Sequence, residues 1–138
     1  MRVTVDTNIV VSAFLWGGNP RRVIDSAVSR SIVIYTSEAL IAELFDVLSR
    51  KQFVKQLTTI GSSVGKIVDE YTALSKTIDA PDIEPVVIRD PDDDAVIACA
   101  VASQSDVIVS GDKDLLDLGH FKHIRILKAA ELLTELGL

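Results

Sequence analysis

Val3-Thr4-Val5-Asp6-Thr7-Asn8 is the stretch whose reading decides the fold. An apolar run of β-formers that stops at Asp-Thr-Asn reads as a buried strand whose last side chain leaves the sheet at its carboxyl edge. In open α/β sheets that edge is where ligands bind. A structural role is equally open to Asp6, because Asp or Asn after a strand often caps the next helix or makes a turn. What weighs against a purely structural role is that three later segments also carry acids to a helix start, a helix face or a strand end.

Beyond Asn8, Ile9 to Leu15 continues apolar until Gly17-Gly18 breaks it. Asn19-Pro20 then resembles an N-cap with proline at the first helical position, opening a helix to about Arg30. Ile32 to Tyr35 is a second buried strand, and Ser37 after it is an N-cap. Leu40, Ile41, Leu44, Phe45 and Leu48 recur at helical spacing as the core stripe of the next helix. Glu43 falls at the border of that stripe beside Val47. A border acid ordinarily reaches out to solvent, but this helix directly follows a strand, which brings its early turns near the edge where Asp6 ends. Arg50, Lys51 and Lys55 suit either charge compensation at the helix C-terminus or a phosphate-contacting patch. Gly61-Ser62-Ser63 is a turn, and Val64, Ile67, Val68, Tyr71, Leu74 and Ile78 predict one amphipathic helix. Pro81 and Pro85 bracket an extended linker into Val86-Val87-Ile88.

Arg89-Asp90-Pro91-Asp92-Asp93-Asp94 is the densest run of acids. Asp90-Pro91 fits an N-cap and first helical residue, and acids in a first turn stabilise the macrodipole by roughly 0.3–1 kcal/mol each. Four carboxylates within five residues exceed what a cap needs. Asp93 shares a face with Ile97, Ala100 and Val101, and Asp94 aligns with Ile97, Ala98 and Val101 almost as well, so both stay candidates. Asp106 to Ser110 is another buried strand, and it runs into Gly111-Asp112-Lys113-Asp114. The structural alternative there is a Gly-Asp turn. A last strand from about His123 to Leu127 leads into a closing helix from Ala129 to Leu136. His120 and His123 read as surface or packing residues.

The 138 residues amount to a single domain, 1–138, with 48% hydrophobic and 25% charged residues, values ordinary for a globular protein. No apolar run is long enough to span a bilayer, no signal peptide is expected, and one cysteine excludes an intrachain disulfide and suits a reducing cytoplasm. One Cys and two His make a structural zinc site implausible. Uniform acidity at a net charge of −6 would disfavour nucleic acid; a concentrated acidic cluster instead invites a divalent cation or a basic partner.

Alternating strands and helices imply right-handed crossovers and a mostly parallel sheet covered on both faces, a three-layer α/β/α sandwich. Strand ends and the starts of following helices then share one edge, so Asp6, Glu43, Asp93 or Asp94, and Asp112 converge. Such carboxylates repel one another unless a hard cation such as Mg²⁺ or Mn²⁺ sits among them, and that arrangement suits phosphodiester hydrolysis by an activated water.

Taken together, the opening Val-Asp-Thr-Asn, the Ser37 to Leu48 helix with Glu43, the Asp-Pro-Asp-Asp-Asp helix start and Val-Ser-Gly-Asp-Lys-Asp-Leu-Leu resemble the PIN-domain ribonucleases over nearly the whole chain. The resemblance implies a metal-dependent endoribonuclease and, for small members, the toxin half of a toxin–antitoxin pair, with RNA as substrate, a basic antitoxin as partner and a homodimer as the assembly. Carried over to this sequence, it implies that Asp6 and Asp93 (or Asp94) are the main metal ligands. Glu43 and Asp112 would complete the acidic set, partly through water, while Asn8 and Ser110 would orient ligands and Asp114 would match a less constant acid. Phe14, Leu15 and Trp16 belong either to an exposed apolar patch or to the core.

Two other classes compete with this reading. A phospho-acceptor receiver domain also gathers acids at a parallel-sheet edge, but Ile32 to Tyr35 ends in Tyr-Thr-Ser where the acceptor acid should stand, and Lys113 follows Asp112 directly. A nuclease-like fold serving mainly as a protein-interaction module suits the acidic balance, since a basic arm could place Arg in the pocket; the complete acid set argues against it.

Overall fold

The computed structural model describes residues 1–81 and 91–138, with the backbone alone at Pro91 and Asp92. The expected linker strand Val86 to Ile88 and the Asp90 cap lie outside the described residues. In chain order the elements are β1 (Arg2–Val5), α1 (Thr7–Leu15), α2 (Gly18–Val28), β2 (Val33–Ser37) and α3 (Glu38–Leu48). A 3-10 turn (Lys51–Phe53), α4 (Val54–Thr59), α5 (Val64–Leu74), β3 (Lys76–Ile78) and α6 (Pro91–Ala102) follow. The chain then closes with β4 (Val107–Val109), α7 (Lys113–Leu118), β5 (His120–Phe121), β6 (Ile124–Leu127) and α8 (Ala129–Glu135).

Among the described residues the sheet order is β3-β2-β1-β4-β6-β5, parallel throughout except for the antiparallel β5–β6 pair. β1 is central, with Val3 and Val5 registered against Val107 and Val109 of β4. These side chains and Ile34 join one apolar cluster with residues of α1, α2, α5 and α8, while Ile108 and Ile126 join a second with α6 and α7. Strand side chains alternate between faces, so helices cover both faces and the expected α/β/α sandwich is realised. α3 contributes Leu40 to the second cluster and Leu44, Val47 and Leu48 to the first, so its first turn reaches past the end of the sheet toward α6.

Several boundaries differ from the sequence expectation. The apolar stretch after Asp6 is a helix from Thr7 onward, and α2 starts at Gly18 after Gly17 at φ 86°, a conformation glycine adopts without strain, so Asn19-Pro20 is inside the helix rather than at its cap. β2 runs on to Ser37. Ile78, read as the end of a helix, belongs to β3, because the helical stripe stops at Leu74 and Ser75 breaks the pattern. Phe45 is 54% exposed and not part of the α3 stripe: at 100° per residue it lies about 140° from Leu40, whereas Leu44 and Val47 lie within about 40° of it. Leu15 is buried, Phe14 half-buried and Trp16 exposed, which resolves that run into one core residue and one surface aromatic. The short α7 and β5 had no counterpart in the sequence reading.

A thread of hydroxyls crosses the second cluster. Thr4 Oγ1 lies 2.9 Å from Ser105 Oγ, which lies 2.7 Å from Ser103 Oγ, and Thr4 Oγ1 reaches Cys99 Sγ at 3.9 Å. Burial pushes the Cys99 thiol up from an ordinary 9.0 to about 11, against the lowering effect of hydrogen bonds with Thr4 and Ser37. Because the folded chain holds this proton more tightly than the unfolded chain, its stabilising contribution is complete below about pH 9 and is lost as pH rises toward 11. Native protein at pH 8 is therefore expected to leave Cys99 unmodified by iodoacetamide over hours, with rapid reaction in urea, and Cys99→Ala should flatten the fall in stability between pH 9 and 11. Rapid native alkylation would contradict the burial of this side chain.

Candidate active site

Asp6 occupies the N-cap position of α1, yet its side chain makes no capping hydrogen bond. It is 5% exposed, and Oδ2 accepts a 2.8 Å hydrogen bond from Ser110 Oγ, just past the end of β4. The Ser110 oxygen in turn accepts the backbone N–H of Asp112 at 2.9 Å. A hydroxyl has one proton to give, and the amide contact directs that proton to Asp6. The capping alternative for Asp6 is thus excluded at the side chain, while its backbone carbonyl still receives Ile9 N and Val10 N as a helix start requires.

Asp112 is a true N-cap: Oδ1 accepts from Asp114 N at 2.8 Å and Leu115 N at 3.2 Å. The turn role and a site role coexist, since capping uses one carboxylate oxygen and leaves the other. Asp112 and Asp114 stand at the cap and in the first turn of α7, so both carboxylates are at the helix start. There they meet Asp93 of α6: one oxygen from each of Asp93, Asp112 and Asp114 lies within 4.8 Å of the others. Asp93 is 3% exposed and Asp94 half-buried, and Asp93 is the member of the pair in the cluster.

Of the other candidates, Glu43 is half-buried on α3 and Asn8 is exposed on the first turn of α1. Asp6 and Glu43 are outside the set of mutually close oxygens. Asp114 was expected at the margin and is inside it; the signal that points to it is Leu115, buried behind the acids, which makes Lys113-Asp114-Leu115 a helix start rather than an open turn. Tyr71 of α5, fully buried and edge-on to Phe14, has its hydroxyl pKa raised by burial, then by the Cys99 and Asp6 charges. Its place near Asp6 was not anticipated. His120 and His123 are exposed. A 640 Å³ cavity beside the α3 start is lined by Ser37, Glu38, Ala42, Thr77 and Asp79 and holds no member of the cluster.

The donor set is chemically suited to a hard divalent cation. Oxygens bound to one Mg²⁺ at 2.0–2.1 Å stand roughly 3–4 Å apart, so separations up to 4.8 Å close with small side-chain rotations. All three donors are carboxylates, the hard oxygen ligands that Mg²⁺ and Mn²⁺ prefer over softer sulfur or imidazole donors.

The PIN domain family model matches residues 2–114, and the chain belongs to that family. Its fold is similar to VapBC2 from Rickettsia felis, crystallised bound to a DNA fragment from its promoter, at 14% identity and TM-score 0.63, covering 93% of this chain and 98% of that one. It is also similar to VapBC-1 from nontypeable Haemophilus influenzae, at 12% identity and TM-score 0.58, covering 94% of this chain and 99% of that one. No curated protein matches the sequence.

Without a cation, two carboxylates at this spacing repel by on the order of 3 kcal/mol at an effective dielectric of 20, less after solvent screening. That exceeds the roughly 0.3–1 kcal/mol an acid gains at a helix N-terminus. In EDTA, Asp114→Asn is therefore expected to raise Tm by about 3 °C, and a lowered Tm by calorimetry would show that the helix start, not repulsion, governs this residue.

Proposed function

We propose that this protein is an Mg²⁺- or Mn²⁺-dependent endoribonuclease, working as the toxin of a toxin–antitoxin pair in the cytoplasm. The observation that carries the reading is the meeting of Asp93, Asp112 and Asp114 within 4.8 Å at the sheet edge where Asp6 ends. Family membership supports hydrolysis of phosphodiester bonds, and the VapBC neighbours support a partnered toxin. We propose further that the chain pairs with a second copy of itself and meets a basic antitoxin at the acids.

In this reading Asp93, Asp112 and Asp114 hold the cation and Asp6 stands beside them, oriented by Ser110. Asp94, next to Asp93 on α6, Glu43 on α3 and Asn8 on the first turn of α1 are proposed to support the set from outside it. When bound, the cation would supply charge neutralisation at the phosphodiester and a lowered pKa for water. The contribution of the chain is positional. The Ser110 hydroxyl fixes one Asp6 oxygen, leaving the carboxylate little freedom to rotate away. The α7 cap fixes Asp112 in the same manner, and the burial of Asp93 on α6 shields that side of the cluster from solvent. Preset carboxylates lose little freedom on binding a cation, which favours both affinity and a defined geometry.

Cleavage of single-stranded and structured RNA should require Mg²⁺ or Mn²⁺ and stop in EDTA. Ser110→Ala is expected to lower activity or metal affinity about 10- to 100-fold, in the range of losses seen when a ligand-orienting group is removed, with Asp93→Asn and Asp112→Asn lower still. Calorimetric titration with Mn²⁺ gives the independent readout: binding by the wild-type chain and none by Asp93→Asn. Undiminished cleavage by Asp93→Asn and Asp112→Asn, from preparations free of contaminating nuclease, would defeat the assignment.

A further inference from the structure

The charge of this chain is unevenly distributed. Residues 7–24 and 47–68 contain six of its fourteen basic residues, Arg21, Arg22, Arg50, Lys51, Lys55 and Lys66, and none of its twenty acidic ones. The fold brings these two segments together. The Trp16 and Phe53 rings meet edge to face at 5.9 Å, and Gln56 Nε2 donates to the Leu15 carbonyl at 2.7 Å. Trp16 is 61% exposed, and Arg22, Lys51 and Lys55 are exposed on the same two segments. Arg21 and Arg50 pair with Asp25 and Asp46, while Arg22, Lys51 and Lys55 make no ion pair with a described residue.

We infer that this face, with Trp16 at its centre and Lys51 and Lys55 on either side of its Phe53 partner, is a platform for single-stranded RNA, a base stacking on Trp16 and the flanking phosphates meeting the cations. The inference rests on the nuclease reading above and adds the surface that holds the substrate. An enzyme of net charge −6 whose reaction site is lined with carboxylates repels a polyanion unless cations elsewhere hold it. Exposed aromatics interspersed with basic side chains hold single strands irrespective of sequence, because every base offers a ring face. α1 begins beside Asp6 at the carboxyl edge of the sheet and runs away from it to end before Trp16, and ten residues at 1.5 Å rise put Trp16 about 15 Å from Asp6, so a strand of several nucleotides lying along α1 spans the platform and the acids.

The chain has one tryptophan, so its fluorescence reports on Trp16 alone. Titration with a 15-nucleotide oligouridine in EDTA, where cleavage is absent, should quench that fluorescence. Trp16→Leu should weaken binding about 5- to 100-fold, and Trp16→Tyr should retain most of it. Lys51→Ala/Lys55→Ala should reduce the slope of log affinity against log salt by about 1.4, at 0.7 per lost single-strand phosphate contact. The control pair Lys76→Ala/Lys128→Ala should leave that slope unchanged. These positions are exposed, and matching melting curves confirm folding.

Absent quenching, or wild-type affinity and slope in the Trp16→Leu and lysine variants, overturns the inference and leaves the face to a protein partner. The two readings fail separately. RNA cleavage in Mn²⁺ with normal KM in these variants rejects the platform alone; oligouridine binding with quenching but no cleavage rejects the nuclease alone.

Discussion

The Ser110 hydroxyl, donating to Asp6 and accepting the Asp112 amide, is the contact that joins two strand ends into a single carboxylate-lined edge. An ionised carboxylate as buried as Asp6 is costly unless hydrogen bonds replace its lost water, and this bond comes from a residue 104 positions later in the chain. The bond requires β1 and β4 to be neighbours, and the parallel register that sets Val5 against Val109 places Asp6 and Ser110 at equivalent steps beyond it. The sheet's central pairing and the orientation of its buried acid are in that sense one constraint.

The strand order explains why the edge is recessed. From β1 the chain builds outward through β2 and β3, then returns to lay β4 on the other side of β1. Connections on the two sides leave in opposite directions, opening a crevice above β1 and β4 at the switch in strand order. α1 and α7 start at its two lips, and α6 supplies Asp93 from behind. Each of the acids thereby sits at or next to a helix start, where the backbone amide dipoles favour negative charge. Part of the repulsion within the cluster is thereby offset, so carboxylates this close are compatible with a stable fold.

Much of this was legible in the sequence because burial leaves local marks. Val3 to Val5, Val107 to Val109 and the Ser37 cap with Leu40, Leu44 and Leu48 behind it are periodic or bounded signals, and the sheet and the three-layer arrangement follow from them. The failures have local causes too. Phe45 is hydrophobic but points away from the stripe, which only the angular count detects. Ile78 continues an apolar rhythm that Ser75 has already broken. At the acids, one-dimensional reading stops at the question of face: Asp93 and Asp94 differ by 100° on a helix, and only the position of α6 against α7 distinguishes them. The closeness of Asp114 to Asp112 leaves no mark in the sequence because it depends on α7, a helix too short to show periodicity.

The distribution of charge completes the physical picture. A protein that gathers acids in one place and basic side chains in another faces opposing electrostatic demands, and mixing the two kinds of side chain on one surface would satisfy neither, since neighbouring Lys and Asp pair with each other. Arg21 with Asp25 and Arg50 with Asp46 illustrate that pairing at the margins of the basic segments. Within residues 7–24 and 47–68 the chain carries no acid, so Lys51 and Lys55 keep their charge available to solvent. With a Debye length near 8 Å at physiological salt, a separation of about 15 Å between Trp16 and Asp6 is sufficient to screen one region from the other. Segregation over that distance lets an acidic protein present a cationic surface without neutralising its clustered carboxylates.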